Sequence, residues 1–431
     1  MMTKSPQMMM RDLPSRIAPL LEQISSPVAT LARATSALRK DAHGHQPDEH
    51  LPPLQPRLAI PMAEKTADQT AYQRHFDQAQ FLARQENWAE LGELIRHFDS
   101  TRARTPGGLP VAEVMALGAR HDAVSAALEA IEINDPDAAR APLDALDEVL
   151  SEHCEDHGVA LVIAQAHIDV GWAWRGEGWR RDIPKERRAA FHGHFSAAAR
   201  IIDRFDAFEL DAPSLAAARC SLLAAETNPA NRVADDYEDL IDLDPHSPRH
   251  MRAMGNHLLP RWFGSYEMLD LQARRTAERT QDIWGDGAYT WVYFDALAVD
   301  PDAFDTLDVD LFLQGMQDIL ERCSGQNMVN LFAAYTGMTM GSWCEPGTAQ
   351  AQVADRFDWI ARDLLREIHP MVWLSLPECA GQVQCNDPAK RTEKAGRVRA
   401  LSTLTRHFAP EIKAGYRIAY DQSGLSIFPI A

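Results

Sequence analysis

From about residue 70 onward one period governs the chain. In "AYQRHFDQAQFLARQENWAELGELIRHF" apolar residues recur at three- and four-residue intervals, the spacing of helices that bury one face. "NDPDAARAPLDALDEVL" adds entry signals, with Asp135 placed to cap and Pro136 at the first helical position. "LDAPSLAAARCSLLAAE", "LDVDLFLQGMQDILERC" and "AQVADRFDWIARDLLREI" read the same way. About twelve to fourteen such segments follow one another, separated by short loops rich in Asp, Pro, Gly and Asn. Short connections make neighbours antiparallel. The expected fold is therefore all-α, stacked helical hairpins over 64–410. Only the end differs. "GYRIAYDQSGLSIFPI" alternates apolar and polar on both sides of Asp421–Gly424, so 411–431 is expected to form a small β-hairpin.

The opening of the chain breaks the period. Residues 1–40 carry Lys4, Arg11, Arg16, Arg33, Arg39 and Lys40 against Asp12 and Glu22, so this arm is +4 in a chain of −19. Prolines interrupt its apolar spacing, and five more fall between 47 and 61. Residues 1–63 thus read as a mobile arm and an extended linker. A net charge of −19 opposes nucleic-acid binding, which depends on neutralising phosphates. No run reaches 18 apolar residues, so no membrane insertion is expected. Six cysteines at 154, 220, 323, 344, 379 and 385 form no C-x-x-C, a pattern of reduced thiols in a cytoplasm.

A period of 34 residues is the next test. Val233, Tyr237, Leu240 and Pro245 fall at helix-B spacing and lead into "LIDLDP"; Met251, Met254, Gly255 and Leu258 fall at the following helix-A positions. Trp88, Leu91, Gly92 and Ile95 repeat the helix-A set. On these residues the chain resembles tetratricopeptide-like helical repeat proteins. The match is good over 233–258, partial at 88–95 and degenerate over the rest of 70–370. The resemblance implies an α-solenoid with a concave groove for a peptide or protein partner. "LLPRWFGS" is also similar to the P-R-W-x-G-S signature of an uncharacterised bacterial family with a tetratricopeptide-like domain. Pro260–Ser265 departs from the repeat, cutting the hairpin short.

Metal and catalytic motifs are weak. The chain has no G-x-S-x-G elbow and no phosphate-binding glycine loop. "HCEDHG" places His153 and His157 one turn apart, but Cys154 stands where a zincin has its glutamate. His246, His250 and His257 share a helical face, yet the last two lie about 10 Å apart along the axis. "DPDAFDTLDVD" offers Asp305 where a calcium loop needs Gly, so its aspartates are read as two successive helix caps. No metal and no cofactor are expected.

Two aromatic concentrations remain. "WAWRGEGWRRDIPKERR" interleaves Trp172, Trp174 and Trp179 with arginines, making Arg180 and Arg181 candidates for an anionic or peptide ligand. In "PRWFGSYE", Pro260 stops one helix, Gly264 allows a turn and Ser265 caps the next. Trp262 is expected to plug this corner, and Arg261 needs a carboxylate or a ligand. "WGDGAYTWVYFDAL" adds Tyr289 and Trp291 as groove-lining candidates. Two functions fit: a non-catalytic binding or scaffold protein with an aromatic and Arg-lined groove, or a hydrolase or transferase whose His and acids meet only in space. Convergence of His, Asp and Glu in one pocket would favour the second.

Overall fold

A computed structural model describes residues 57–63, 65–176, 183–382 and 392–430. Its longer helices are α1 (Ala67–Arg84), α2 (Trp88–Ser100), α3 (Val111–Glu132), α4 (Pro136–Glu152), α5 (His157–Arg175), α6 (Lys185–Ile202), α7 (Pro213–Leu222), α8 (Val233–Leu243) and α9 (Pro248–His257). They continue with α10 (Tyr266–Arg279), α11 (Gly287–Val299), α12 (Val309–Arg322), α13 (Gln326–Ala334), α14 (Ala349–Trp359) and α15 (Glu393–His407). Helix α13 runs on into a π-helical turn, Tyr335–Met340. The fold is all-α with a small C-terminal β-hairpin. No helix of the described residues is long and apolar enough to cross a membrane.

The helix starts follow local chemistry. Asp135 accepts from the N–H of Ala138, Ser265 from that of Met268, and Asp308 from that of Leu311, each closing a free donor of a first turn. The other aspartate read as a cap, Asp300, makes no side-chain cap. It accepts instead from the Tyr266 hydroxyl at 3.2 Å. His153 ends α4 while His157 opens α5 behind the capping Asp156, so these histidines never share a helix.

Two mostly apolar helices are buried on nearly all sides, and each lies in the core. In α5, Val159–Val170 is almost wholly buried, and α6 runs along it in the most extensive helix pairing. In α11, Gly287–Phe294 is buried throughout. Helices α1, α3 and α5 pack side by side, with α2 wedged against α3 and α5. Further on, α9 packs chiefly along α11 and touches α10 only lightly. Gly255 permits this approach, since a Cβ there would run into the Val292 carbonyl of α11. A tetratricopeptide hairpin would put the helix after the corner in that place. The Pro260–Ser265 corner turns α10 away instead. One continuous hydrophobic cluster runs from Leu58 to Tyr420.

The sheet has three strands in the order β1 (Leu58–Ala59), β2 (Tyr416–Asp421), β3 (Gly424–Pro429). β2 and β3 form the expected hairpin, and β1 pairs parallel to β2 with Leu58 beside Ile418. This corrects the linker boundary expected at 63. Residues 57–63 are docked: Ile418 N–H donates to the Arg57 carbonyl at 2.8 Å, and Ala63 N–H to that of Ile368 at 2.9 Å. The rest of the arm, 1–56, lies outside the described residues.

Two truncations measure what this strand contributes. A chain starting at residue 64 loses the pairing and the burial of Leu58, so it should be about 2–4 kcal/mol less stable than one starting at residue 57. Urea melts of the two check this; coincident midpoints would show that β1 adds nothing.

Candidate functional site

The site begins with polar residues on the apolar helix α5. Gln165 and Asp169 lie one turn apart on it, and both meet Arg120 of α3. Arg120 Nε donates to Asp169 Oδ2 at 2.7 Å, and its Nη1 to Gln165 Oε1 at 2.8 Å. Arg120 and Asp169 are buried at 1% and 4% exposure. Burial raises the Asp169 pKa, against the pull of Arg120. Removing water from the two charges is costly, so the pair holds only because each side chain's partner is in place.

Beside this pair lies a small open cleft between α5, α7, α8 and α9, with a cavity volume of about 60 Å3. Ile168, Ala217, Ala218, Leu240 and Ala253 give it apolar walls, and Trp172 lies in its lining. Glu113 of α3 and Arg249 of α9 form a 2.9 Å ion pair across one end. Behind it, Arg104 contacts both Asp244 oxygens at 2.5 Å, and His250 Nε2 stands 3.5 Å from the same carboxylate. Burial pushes the Asp244 carboxyl up, but bonds from His250 and Arg104 outweigh it and hold the pKa below the usual carboxylate range.

On the opposite wall Tyr237 Oη lies 2.6 Å from His257 Nδ1. Burial lowers the His257 pKa to about 4, so its ring is neutral at pH 7, and raises the Tyr237 phenol far above its ordinary value. Trp262 meets both sides of this arrangement. Its ring stands edge-on to His257 at 6.1 Å and to Trp172 at 6.4 Å. Arg175 lies 5.5 Å over the Trp172 ring.

The structure thus brings Trp262, and the corner it belongs to, against the cavity. It is half-buried rather than a sealed plug. Arg261 finds a carboxylate, with Nε 3.6 Å from Asp300 at the far end of α11. Tyr289 and Trp291 are placed elsewhere. At 0% and 1% exposure they are core residues of α11, not groove lining. A helix buried on nearly all sides leaves no face for a groove. The Tyr289 hydroxyl is used internally, donating to Asp270 and accepting from the Asp308 N–H. Arg180 and Arg181 lie outside the described residues. Sequence reasoning missed Arg120, Gln165, Asp169, Glu113 and Arg249. One signal was present: Gln165, His167 and Asp169 fall at alternate positions in a run of α5 that is otherwise apolar from Gly158 to Trp172.

His, Asp and Glu do converge here, as the catalytic reading requires. However, Asp169, Glu113 and Asp244 each face an arginine. Among the described residues no group of three or more His, Cys, Asp or Glu is arranged to hold a metal ion. No protein-family model, no curated protein and no solved structure matches the chain.

Near the cavity, Asp99 is buried and receives the Ser214 hydroxyl at 2.6 Å; burial raises its pKa to about 7. An acid raised in the folded state stabilises it fully below the unfolded pKa, and that contribution is lost as pH climbs to the folded value. Wild type should therefore lose about 3 kcal/mol relative to Asp99→Asn between pH 4 and pH 7. Parallel urea melts across that range check the sign; a constant difference would refute it.

The buried pair gives a second prediction. Arg120→Met should cost about 3–5 kcal/mol, because Asp169 is left charged and unpaired in the core. Arg120→Met with Asp169→Leu should recover most of the loss, as measured by thermal and urea melts.

Proposed function

We propose that the protein is a non-catalytic binding protein that holds a peptide or protein partner by seating one of its side chains in this cavity. One observation carries the reading: an apolar pocket with an aromatic lining residue, Trp172, whose two lining acids, Asp169 and Glu113, are each matched by an arginine. A general base needs a lone pair and a pKa near its working pH. Matched ion pairs suit recognition better, since they present fixed dipoles and give up no proton. Trp172 and Trp262 offer the flat, half-exposed surfaces that dominate binding hot spots. The buried tetratricopeptide positions Trp88, Leu91, Ile95, Met251, Met254 and Leu258 support a helical repeat scaffold built for such a partner. The charge of −19 weighs against nucleic acid as that partner. With free thiols at Cys154, Cys220, Cys323, Cys344 and Cys379, we assign the protein to a cytoplasm.

One observation favours the alternative, a hydrolase or transferase: the short Tyr237–His257 contact on the cavity wall. The same experiment separates the two. A fluorescent pentapeptide library, varied at its central residue, is titrated against the full chain by polarisation. Saturable binding is expected for a subset of side chains, with affinity falling at least about tenfold (1.4 kcal/mol) in Trp172→Ala and in Ala253→Trp, which fills the cavity. Binding that survives cavity filling would place the partner elsewhere. Peptide cleavage or modification by the wild type would favour the enzyme.

A further inference from the structure

Strand β3 forms one edge of the sheet, and it is both uncharged and exposed. From Gly424 to Ala431 it carries no charged residue, in a protein of net charge −19. Ile427, Phe428 and Ile430 are 36%, 42% and 48% exposed, and Tyr416 beside them 39%. Edge strands are commonly guarded by charge or by proline. Here Pro429 alone serves that end.

The register shows which backbone groups are free. Asp421 pairs with Gly424 across a two-residue turn, so this pair exchanges hydrogen bonds. Bonded pairs alternate, which directs Gly424, Ser426, Phe428 and Ile430 toward β2. The Ile430 N–H bond to the Gly415 carbonyl at 2.9 Å agrees. Leu425, Ile427 and Pro429 therefore turn their backbone groups to the open edge. That edge holds two donors, the N–H groups of Leu425 and Ile427, and three carbonyls.

We infer that this edge pairs with the same edge of a second copy of the chain, antiparallel about a two-fold axis at Ile427. In that register the two Ile427 residues exchange N–H and carbonyl bonds. Each Leu425 N–H donates to the Pro429 carbonyl of the other copy. Every edge donor is used, and the missing N–H of Pro429 leaves only the Leu425 carbonyls without a partner. Phe428 of one copy falls beside Ser426 of the other, a large ring against a small side chain. This self-complementary register favours a second copy as the occupant, and the neutrality of the strand permits it. Two chains of this charge repel over most of their surfaces, and this uncharged strand lets identical molecules meet without facing acids.

Sedimentation equilibrium of the full chain tests the inference, with Ile427→Pro and Ile427→Lys beside it. Ile427→Pro removes a donor that faces the open edge, so the bonds to β2 remain. Ile427→Lys keeps the donor but sets two ammonium groups together at the axis. The wild type should show a reversible, concentration-dependent doubling of mass, weakened at least about tenfold in both variants with unchanged melting. If Ile427→Pro melts early, Ile427→Lys decides. A wild type that stays monomeric at every concentration overturns the inference, including the case in which the edge serves a strand of another protein. A dimer that persists in Ile427→Lys overturns it too.

Discussion

The contact of Arg120 with Asp169 and Gln165 is the constraint on which the N-terminal half depends. Helix α5 is mostly apolar and buried on nearly every side, so hydrophobic burial alone would let it slide or rotate among α3, α4 and α6 with little change in free energy. Non-directional forces do not set a register. A buried guanidinium does, because its planar fork reaches Asp169 and Gln165 together in one alignment of α3 against α5. The cavity inherits that alignment. Asp169 and Gln165 line it on one side, while Glu113, two turns before Arg120 on α3, reaches across to Arg249 of α9. One helix, α3, thus positions both ends of the site.

Arginine carries most of the positive charge of this chain, and the structure gives a reason. Among the described residues the ion pairs are made by Arg and His, many of them joining segments far apart in sequence. Arg102 reaches Asp211 and the Leu243 carbonyl, Arg252 grips Asp295 with two nitrogens, and Arg362 reaches Glu411. A lysine ammonium could neutralise such acids, but not fix their orientation with two parallel bonds. The exposed pairs add little to stability. Those at helix crossings determine which helices meet.

Local features of the fold were legible in sequence because their causes are local. Asp135, Ser265 and Asp308 cap the helices they precede, and the turn at Asp421–Gly424 closes the hairpin. What could not be read depended on distant partners. Two residues, Leu58–Ala59, carry no strand signal between prolines and become β1 only because β2 offers an edge. Tyr289 and Trp291 looked like a groove because aromatic density is visible in sequence and burial is not. Asp300 stood at a cap position, yet Tyr266 and Arg261 claimed its carboxylate. Of the candidate site, Arg261 and Trp262 were found through the odd chemistry of their corner. The Arg120 cluster was missed because its members are 45 and 49 residues apart.

The corner answers to both ends of its surroundings. Trp262 leans on Trp172 and His257 at the cavity, and Arg261 reaches Asp300 beyond α11. Displacing one side chain therefore disturbs its neighbour's partner through a short segment that Pro260 stiffens and Gly264 lets pack closely. Gly264 itself is pressed against the Leu258 carbonyl, where a Cβ would collide. The same reasoning explains why an open cavity persists beside a closely packed core. Arg120 and Asp169 are sealed, with side chains 1% and 2% exposed, and depend on near-ideal bonds. Glu113 and Arg249 keep 13% and 17% exposed. Closing the cavity with larger side chains would strip their remaining solvent and add the desolvation cost of two more charges. The small residues Ala217, Ala218 and Ala253 leave that solvent in place. An ion pair at a wet wall is the cheaper arrangement, and its consequence is a pocket into which a partner's side chain can enter.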